Sequence, residues 1–502
     1  MANHERVQRI KTGIPGFDDV VQGGLVPNRL YLLDGEPGAG KTTFALQYLL
    51  EGARLGERCL YVTLSETEEE LLAGARSHGW SLDGVEVFEL LAEAALDGEN
   101  ELTMLNPNEI ELTETTRRVL EVVKRAQPNR MVFDSLAEMR LLAQTSLRYR
   151  RQILALKQFF IGRACTVVLL DDRMAEGLDM QLHSIAHGVI SLNYKSPPYG
   201  QLRRELEVKK LRGSDFASGF HDFVIRTGGI EVFPRLIASD HKDSFERASL
   251  PSGVAMLDSL LGGGVERGTS TLLIGPPGCG KSTIALQYAV TAARRGDHAA
   301  VFAFDETKAA LLARMSGLGL RVIEGTQGGE VMIRQIDPVE ISPGELAHLV
   351  REAVERNRAR VVVIDSLNGY LNAMPYSNYL TAQLHELLSY LNNSGVATFI
   401  VVAQSGMLGS NMTSPVDASY LADSVVLLRY FEHAGRIRKA ISVVKKRTGA
   451  HEESIRELWF DSAGVHLSEP LLGLRGVLTG VPVERATETR SDKGARSEEH
   501  DT

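Results

Sequence analysis

The feature that most constrains this 502-residue chain is a glycine-rich segment that occurs twice. The first copy reads GEPGAGKTT from Gly35 and the second reads GPPGCGKST from Gly275, an offset of 240 residues. Each copy follows a short apolar run and precedes a segment with helical periodicity. The same offset aligns the stretch from Thr12 with the stretch from Ser252 without a gap. The chain therefore contains an internal duplication.

Both segments fit the pattern G-x-x-x-x-G-K-[ST]. Glycines allow successive backbone N–H groups to turn towards an anion at the start of a helix, where the helix dipole also favours negative charge. In such a P-loop the lysine reaches the β and γ phosphates of a nucleotide, and the following hydroxyl binds magnesium. A chance turn does not recur in register, so we expect ATP and Mg²⁺ as cofactors in both halves. The predicted nucleotide-binding residues are Gly35, Gly38, Gly40, Lys41, Thr42 and Thr43 in the first half, and Gly275, Gly278, Gly280, Lys281, Ser282 and Thr283 in the second.

Short, nearly continuous runs of Val, Ile and Leu alternate with longer amphipathic segments along both halves. Such runs are typical of strands buried on both faces, so the pattern predicts an α/β fold with a mainly parallel sheet flanked by helices in each half. RRELEVKKLR and IRELWFDSAGVHL alternate with period two and predict antiparallel strands that complete each sheet. Because one core rarely serves so long a chain, we expect domains at 1–240 and 241–483, with a disordered tail at 484–502.

Composition narrows the class of protein. Hydrophobic residues make up 43% and charged residues 24% of the chain, as in soluble globular proteins. The net charge of −9 argues against a protein whose main task is to grip nucleic acid. Three scattered cysteines offer neither a zinc spacing nor a disulfide framework, and no segment approaches the ~18 apolar residues of a membrane span. We therefore expect a cytoplasmic protein with no membrane association.

Two aspartates have the position that a magnesium site requires. Asp134 and Asp365 each close an apolar strand and are each followed by Ser-Leu. A carboxylate at a strand end beside a P-loop shares the metal with the P-loop hydroxyl, here Thr42 or Ser282. The alternative is that each aspartate only caps the helix that follows. Recurrence at the same place in the repeat favours the metal role.

Two glutamates are the candidate catalytic bases. Glu66 and Glu306 each lie 25 residues after their P-loop lysine, where another apolar strand ends. In P-loop ATPases of this layout a glutamate at the end of the neighbouring strand orients the attacking water or hydroxyl. The acidic residues at 68–70 are instead expected to form a solvated first helical turn.

With these motifs in hand, the chain resembles the KaiC family of double-domain, RecA-like ATPases. The resemblance runs from about Val7 to about Val483 and rests on the two P-loops, the VTLSET and FAFDET strand ends, the DSL segments and the late K-x-R motifs. It implies two tandem RecA-like P-loop NTPase domains and homohexamers with ATP between adjacent subunits. It also implies slow ATP hydrolysis in the first ring, and phosphorylation and dephosphorylation of two adjacent hydroxyl residues in the second.

The family resemblance also assigns roles to basic residues. Its trans-acting Lys and Arg fall on Lys210 and Arg212 in the first half, and on Lys445 and Arg447 in the second. A cation supplied by the next subunit would neutralise the charge that builds on the γ-phosphate, so activity would depend on assembly. The alternative is a charged edge strand that protects the sheet from aggregation.

Two further assignments come from the same resemblance. The family has two consecutive glutamates where this chain has Ser65-Glu66 and Asp305-Glu306, so the role goes to the later residue of each pair. The family's phosphorylated Ser-Thr pair falls on Ser419 and Tyr420, which makes Ser419 the expected phosphoacceptor. The alternative for a serine in this context is a capping or surface hydroxyl.

The leading hypothesis is an ATP-hydrolysing autokinase and autophosphatase of KaiC type, with clock or signalling proteins as partners. A second hypothesis is a nucleic-acid-dependent ATPase related to RecA or to replicative helicases, which share the same core. A third is a scaffold that binds ATP without hydrolysing it. The acidic net charge and the duplicated core favour the first over the second, and the intact lysines and glutamates speak against the third.

Overall fold

The computed structural model describes residues 8–90, 107–143, 145–173, 180–242, 244–320, 329–372, 379–404, 420–480 and 482–484. Two compact units hold these residues. The first unit comprises those within 1–236 and 339–349, and the second comprises those within 237–338 and 350–502. The predicted domain limits at 240 and 483 stay predictions, and all but the first residue of the predicted tail lies outside the described residues.

The elements before residue 237 alternate between strands and helices up to β6 and then form three further strands. They are α1 (Phe17–Val20), β1 (Leu30–Gly35), α2 (Lys41–Arg54), β2 (Cys59–Thr63), α3 (Glu68–Ser77), β3 (Val85–Glu89), α4 (Pro107–Ala126), β4 (Arg130–Asp134), α5 (Leu136–Ala143), α6 (Ser146–Phe160), β5 (Thr166–Asp172), α7 (Met180–Ile185), β6 (Gly188–Lys195), β7 (Arg203–Leu211), β8 (Phe220–Arg226) and β9 (Gly229–Phe233).

The first unit has one nine-stranded sheet in the order β3-β2-β4-β5-β1-β6-β7-β8-β9. Strands β1 to β6 are parallel to their neighbours among themselves, whereas β7, β8 and β9 are added antiparallel. The predicted α/β fold and its antiparallel completion are therefore confirmed. In β1, Tyr31 and Leu33 pack into one apolar core while Leu30 and Leu32 pack into another, so the central strand is buried on both faces.

From residue 237 onward the chain repeats the same alternation. The elements are a 3₁₀ turn (Ala238–Asp240), β10 (Ser249–Leu250), α8 (Ala255–Leu260), β11 (Val265–Glu266), β12 (Ser270–Gly275), α9 (Lys281–Arg294), β13 (His298–Ala303), α10 (Lys308–Gly317), β14 (Val331–Gln335), α11 (Pro343–Glu355), β15 (Ala359–Asp365), α12 (Leu367–Asn372), α13 (Leu380–Asn393), β16 (Ala397–Ala403), β17 (Ser424–His433), β18 (Arg436–Lys446), β19 (Arg456–Asp461), β20 (Gly464–Pro470), β21 (Leu474–Arg475), a 3₁₀ turn (Val477–Thr479) and β22 (Val483–Glu484).

The large sheet of the second unit has the order β14-β13-β15-β16-β12-β17-β18-β19-β20, which is the order of the first sheet strand for strand. Its parallel part and its antiparallel part divide at the same place, between β17 and β18. Two small antiparallel pairs, β10-β11 and β21-β22, are separate from it. The duplication seen in the sequence is therefore a duplication of topology. Among the described helices, none combines the length and the apolar character that a bilayer crossing requires.

Candidate nucleotide-binding sites

The first P-loop joins the end of β1 to the start of α2. Gly38 and Gly40 have φ angles of 80° and 108°, which residues with a side chain rarely adopt, and Gly40 caps α2. A Cβ atom at Gly40 would lie 2.6 Å from Cδ1 of Ile225. One at Gly35 would lie 2.8 Å from the carbonyl oxygen of Leu192. Glycine is therefore required here for conformation and for space, and the loop has the shape that cradles an anion.

The P-loop lysine of the first unit is held in place by several oxygens. Lys41 is buried, and its Nζ donates hydrogen bonds to the carbonyls of Gly35 and Glu36 at 3.0 and 3.1 Å. The same Nζ forms an ion pair with Oδ1 of Asp172 at 2.6 Å. Asp172 ends β5, and its Cα is the register partner of Gly35 on β1. No motif in the sequence predicts a role for Asp172.

A hydroxyl and a carboxylate meet beside this lysine. Thr42, the first hydroxyl after Lys41, lies near Asp134 at the end of β4 and favours the ionised form of that carboxyl. Tyr61 on β2 donates a 2.5 Å hydrogen bond to Oδ2 of Asp134. Burial raises the pKa of Asp134, and Tyr61, Lys41 and Thr42 oppose that rise. The predicted pair of Thr42 and Asp134 thus comes together, and Tyr61 is a partner that the sequence did not reveal.

The candidate base of the first unit follows β2, next to the strand that carries Asp134. The hydroxyl of Thr63 donates to the carbonyl of Glu66 at 2.7 Å and accepts from its N–H at 3.0 Å, which fixes the backbone at this point. The Glu66 side chain is half-buried. Burial, with the nearby charges of Asp134 and Glu70, raises its pKa. A raised pKa favours a carboxylate that takes up a proton near neutral pH.

The second P-loop has the same conformation with different packing. Gly278 and Gly280 have φ angles of 77° and 108°. A Cβ atom at Gly280 would lie 2.2 Å from Cζ of Phe460, and one at Gly278 would lie 2.8 Å from the hydroxyl oxygen of Tyr430. Lys281 is buried and donates from Nζ to the carbonyl of Pro276 at 2.7 Å. Burial lowers the pKa of Lys281.

The hydroxyl and carboxylate pair recurs in the second unit. Burial raises the pKa of Asp365, which ends β15, and the nearby hydroxyl of Ser282 opposes that rise. The candidate base Glu306 is not free: Nη2 and Nε of Arg314 on α10 reach its Oε2 and Oε1 at 2.7 and 3.3 Å. Nη1 of Arg314 also donates to the hydroxyl of Thr283 at 3.4 Å. No motif in the sequence predicts a role for Arg314.

The remaining predicted loop residues lie where the motif requires. Gly275 is the last residue of β12, and a Cβ atom there would lie 2.4 Å from the carbonyl oxygen of Leu428. Thr43 and Thr283 lie in the first turn of α2 and α9. All twelve predicted nucleotide-binding residues therefore belong to the two P-loops and the helix starts that follow them.

The basic residues predicted to act in trans are not near the P-loop of their own unit. Lys210 Nζ donates to the carbonyl of Ala186 at 2.8 Å, and Arg212 Nη2 donates to that of Ser184 at 3.0 Å. The end of β7 pairs with the start of β6, and β6 starts beside the beginning of β1. The P-loop leaves the other end of β1. These cations therefore lie at the opposite end of the strands from the P-loop, about 20 Å away for a six-residue strand.

The second unit repeats this placement. Lys445 Nζ donates to the carbonyl of Ala422 at 2.7 Å, and Arg447 Nη2 donates to that of Tyr420 at 2.9 Å. Arg447 Nη1 also lies 3.6 Å from Oδ1 of Asp423. The predicted phosphoacceptor Ser419 lies outside the described residues.

Comparison with known proteins agrees with this geometry. The family model described as “ATPase: KaiC” matches residues 10–237 and again residues 250–471. The chain belongs to the KaiC ATPase family. Both matched stretches contain a complete P-loop, its hydroxyl and its aspartate, so each of the two KaiC domains is a nucleotide-binding ATPase domain.

Individual relatives resemble the chain over nearly its full length. Circadian clock protein KaiC3 of Synechocystis sp. is 26% identical over 491 residues, which cover 96% of this chain and 95% of the relative. Circadian clock oscillator protein KaiC of Parasynechococcus marenigrum is 26% identical, with 97% and 95% covered. The protein of that name from Synechococcus elongatus is 24% identical, with 98% and 95% covered. The resemblance predicted from the motifs is confirmed.

Proposed function

We propose that this protein hydrolyses magnesium-bound ATP at both P-loops within a homohexameric ring and phosphorylates itself on Ser419, in a timing or signalling role. The observation that carries the proposal is the same in both units: the hydroxyl after a buried P-loop lysine lies near a strand-end aspartate and favours its ionised form. The relatives' names, which describe circadian clock proteins, support the timing role. They give no support to a nucleic-acid motor.

The oxygen ligands at each site fit magnesium. Mg²⁺ prefers carboxylate and hydroxyl oxygens, and it is usually held by one or two such groups together with the phosphates of the nucleotide. Thr42 with Asp134, and Ser282 with Asp365, supply this pair in the two units. When bound, the metal would neutralise charge that develops on the phosphate oxygens. Each aspartate would then ionise despite its burial, because the cation favours its charged form.

The candidate base of the first unit fits water activation. Glu66 follows the strand adjacent to that of Asp134, and its carboxylate is half-buried beside the metal-binding pair. It would accept the proton of a water molecule as the water oxygen bonds to the γ-phosphorus and the bond to the bridging oxygen breaks. Release of inorganic phosphate from purified protein, lost in Glu66→Gln within a Lys281→Ala background, tests this role. Undiminished release would contradict it.

A ring explains the placement of the basic residues. Arg212 and Arg447 are exposed and lie at the end of the strands opposite their own P-loop. In a ring, another copy of the chain would present such a cation to that loop. Cations supplied across a subunit interface raise phosphoryl-transfer rates strongly, which makes them a natural link between assembly and activity.

Subunit mixing tests the ring directly. Arg212→Ala chains keep their first P-loop, and Lys41→Ala chains keep the arginine, so each is defective alone. In a Lys281→Ala background, a mixed ring places an intact arginine next to an intact loop, and phosphate release should rise above the average of the two separate preparations. Light scattering checks that the mixed chains form rings. If phosphate release from these rings only equals the average, action in trans is refuted.

The autokinase proposal extends the same chemistry to a hydroxyl. The oxygen of Ser419 would bond to the γ-phosphorus of ATP, ADP would leave, and Glu306 would take up the hydroxyl proton. Incubation with γ-labelled ATP and mapping of the phosphorylated residue should place the label on Ser419. Ser419→Ala and Glu306→Gln should lose it. Label that is unchanged in both variants would remove the kinase assignment and leave ATP hydrolysis in place.

A further inference from the structure

The two candidate bases differ in what surrounds them. Glu306 forms a two-oxygen contact with Arg314, whose side chain is 31% exposed while that of Glu306 is 32% exposed. The residue at the same place in the first unit is Gly74, since α3 and α10 are both ten residues long and lie 240 residues apart. Within the part of the chain that the structure describes, no basic side chain pairs with Glu66, which instead faces the carboxylates of Asp134 and Glu70.

We propose that Arg314 is a positioning residue that holds Glu306 in a resting arrangement and so limits ATP hydrolysis at the second site. This inference rests on the proposed role of Glu306. A general base needs a lone pair directed at the proton it removes, within hydrogen-bond distance of the water. Arg314 engages both carboxylate oxygens of Glu306, and each of these bonds must be given up or bent before the carboxylate can turn to a water molecule.

Arg314 lies inside the second site rather than on a remote surface. Its third nitrogen reaches the hydroxyl of Thr283, two residues after the P-loop lysine. Burial raises the pKa of the metal-binding Asp365, and the positive charge of Arg314 opposes that rise, so the guanidinium also acts on this carboxylate. The arginine thus connects the base, the start of α9 and the end of β15. It is placed to control where the Glu306 carboxylate lies without contacting the reacting atoms.

A restrained base fits a site that passes phosphate to protein. Water competes with a serine hydroxyl for the same γ-phosphate, and water is always present. Holding Glu306 away from water until the hydroxyl arrives would preserve ATP as a phosphoryl donor. The first site, with glycine in place of the arginine, would have an unrestrained base and hydrolyse ATP without this delay.

Reciprocal substitutions test the proposal. With the first site disabled by Lys41→Ala, Arg314→Ala should raise kcat for phosphate release about fivefold, the size expected for loss of an ion pair about one-third exposed. KM should change less than about twofold. Arg314→Lys, which keeps the charge but not the two-pronged contact, should give an intermediate kcat. With the second site disabled by Lys281→Ala, Gly74→Arg should lower kcat, and a Cβ atom at Gly74 meets nothing within 4 Å.

Two measurements separate the possible failures. Equilibrium dialysis with a non-hydrolysable ATP analogue should show the same Kd for Arg314→Ala and its parent, which verifies that the site is folded and reports independently of turnover. Glu306→Gln in the Lys41→Ala background should abolish phosphate release. If it does and Arg314→Ala leaves kcat unchanged or lowers it, the positioning role is wrong while the proposed function stands. If Glu306→Gln has no effect, the role proposed for Glu306 is wrong, and the positioning role of Arg314 is wrong with it.

Discussion

The ion pair between Lys41 and Asp172 should compete with ATP for the P-loop lysine. Lys41 must direct its ammonium to the β and γ phosphates when nucleotide binds, and in the structure it directs that ammonium to a carboxylate 2.6 Å away. Replacing Asp172 by asparagine removes the competing charge and keeps the size of the side chain. The second unit offers a matched position, because Ala403 is the register partner of Gly275 as Asp172 is of Gly35.

The size of the effect follows from exposure. The Lys41 side chain is 9% exposed, but that of Asp172 is 36% exposed, so water screens the pair. Pairs of this kind contribute about 1 kcal/mol, and removing the competitor should strengthen ATP binding by that amount. The corresponding decrease in Kd is about fivefold.

The assay is the affinity of a non-hydrolysable ATP analogue for the first site, with the second site disabled by Lys281→Ala. Asp172→Asn should lower Kd, and the difference should shrink at high salt, which screens the charge that was removed. The reverse change, Ala403→Asp in a Lys41→Ala background, should weaken binding at the second site. An unchanged or increased Kd in Asp172→Asn would refute the competition and would instead make Asp172 part of the bound state.

Three further predictions concern the first base, the second P-loop and a buried arginine. Burial raises the pKa of Glu66, so the rate of hydrolysis at the first site should rise with pH around a pKa above that of an ordinary glutamate. Glu66→Gln should abolish this rise. Gly280→Ala should destabilise the second unit by about 1–3 kcal/mol and weaken its ATP binding, because the new Cβ would meet Phe460 at 2.2 Å; thermal denaturation and analogue binding report both. Arg130→Met should lower the free energy of unfolding by about 3 kcal/mol and so lower the midpoint of urea denaturation. The reason is that Arg130 is 1% exposed, pairs with Glu57 and donates to two carbonyls. An unchanged midpoint would contradict this.

The sequence was sufficient to predict the fold and to locate the two P-loops. P-loop chemistry is local: its glycines, lysine and hydroxyl are consecutive, so pattern and spacing identify them. The strand-end aspartates could also be predicted, because a buried parallel strand reads as a continuous apolar run and its last residue is obvious. The division of each sheet into parallel and antiparallel parts followed from the change in hydrophobic periodicity.

Contacts between side chains from different elements could not be predicted. The meeting of Lys41 with Asp172 depends on the register of β1 and β5, and that of Tyr61 with Asp134 depends on the pairing of β2 with β4. Arg314 reaches Glu306 from two helical turns along α10, and neither residue alone indicates the pair. A direct comparison of the two repeats would have pointed to Arg314, since the other unit has glycine there, but not to what it touches.

The distance between each arginine and its own P-loop has a genetic consequence under the proposed ring. A chain that lacks Arg212 but keeps its fold would still enter an assembly and occupy the place of a working copy. The site it spoils would belong to its neighbour, whose own sequence is intact. When the two alleles are expressed together, the mutant chain should silence the site of a normal copy while its own P-loop works beside a normal neighbour, whereas a P-loop mutation disables only the copy that carries it.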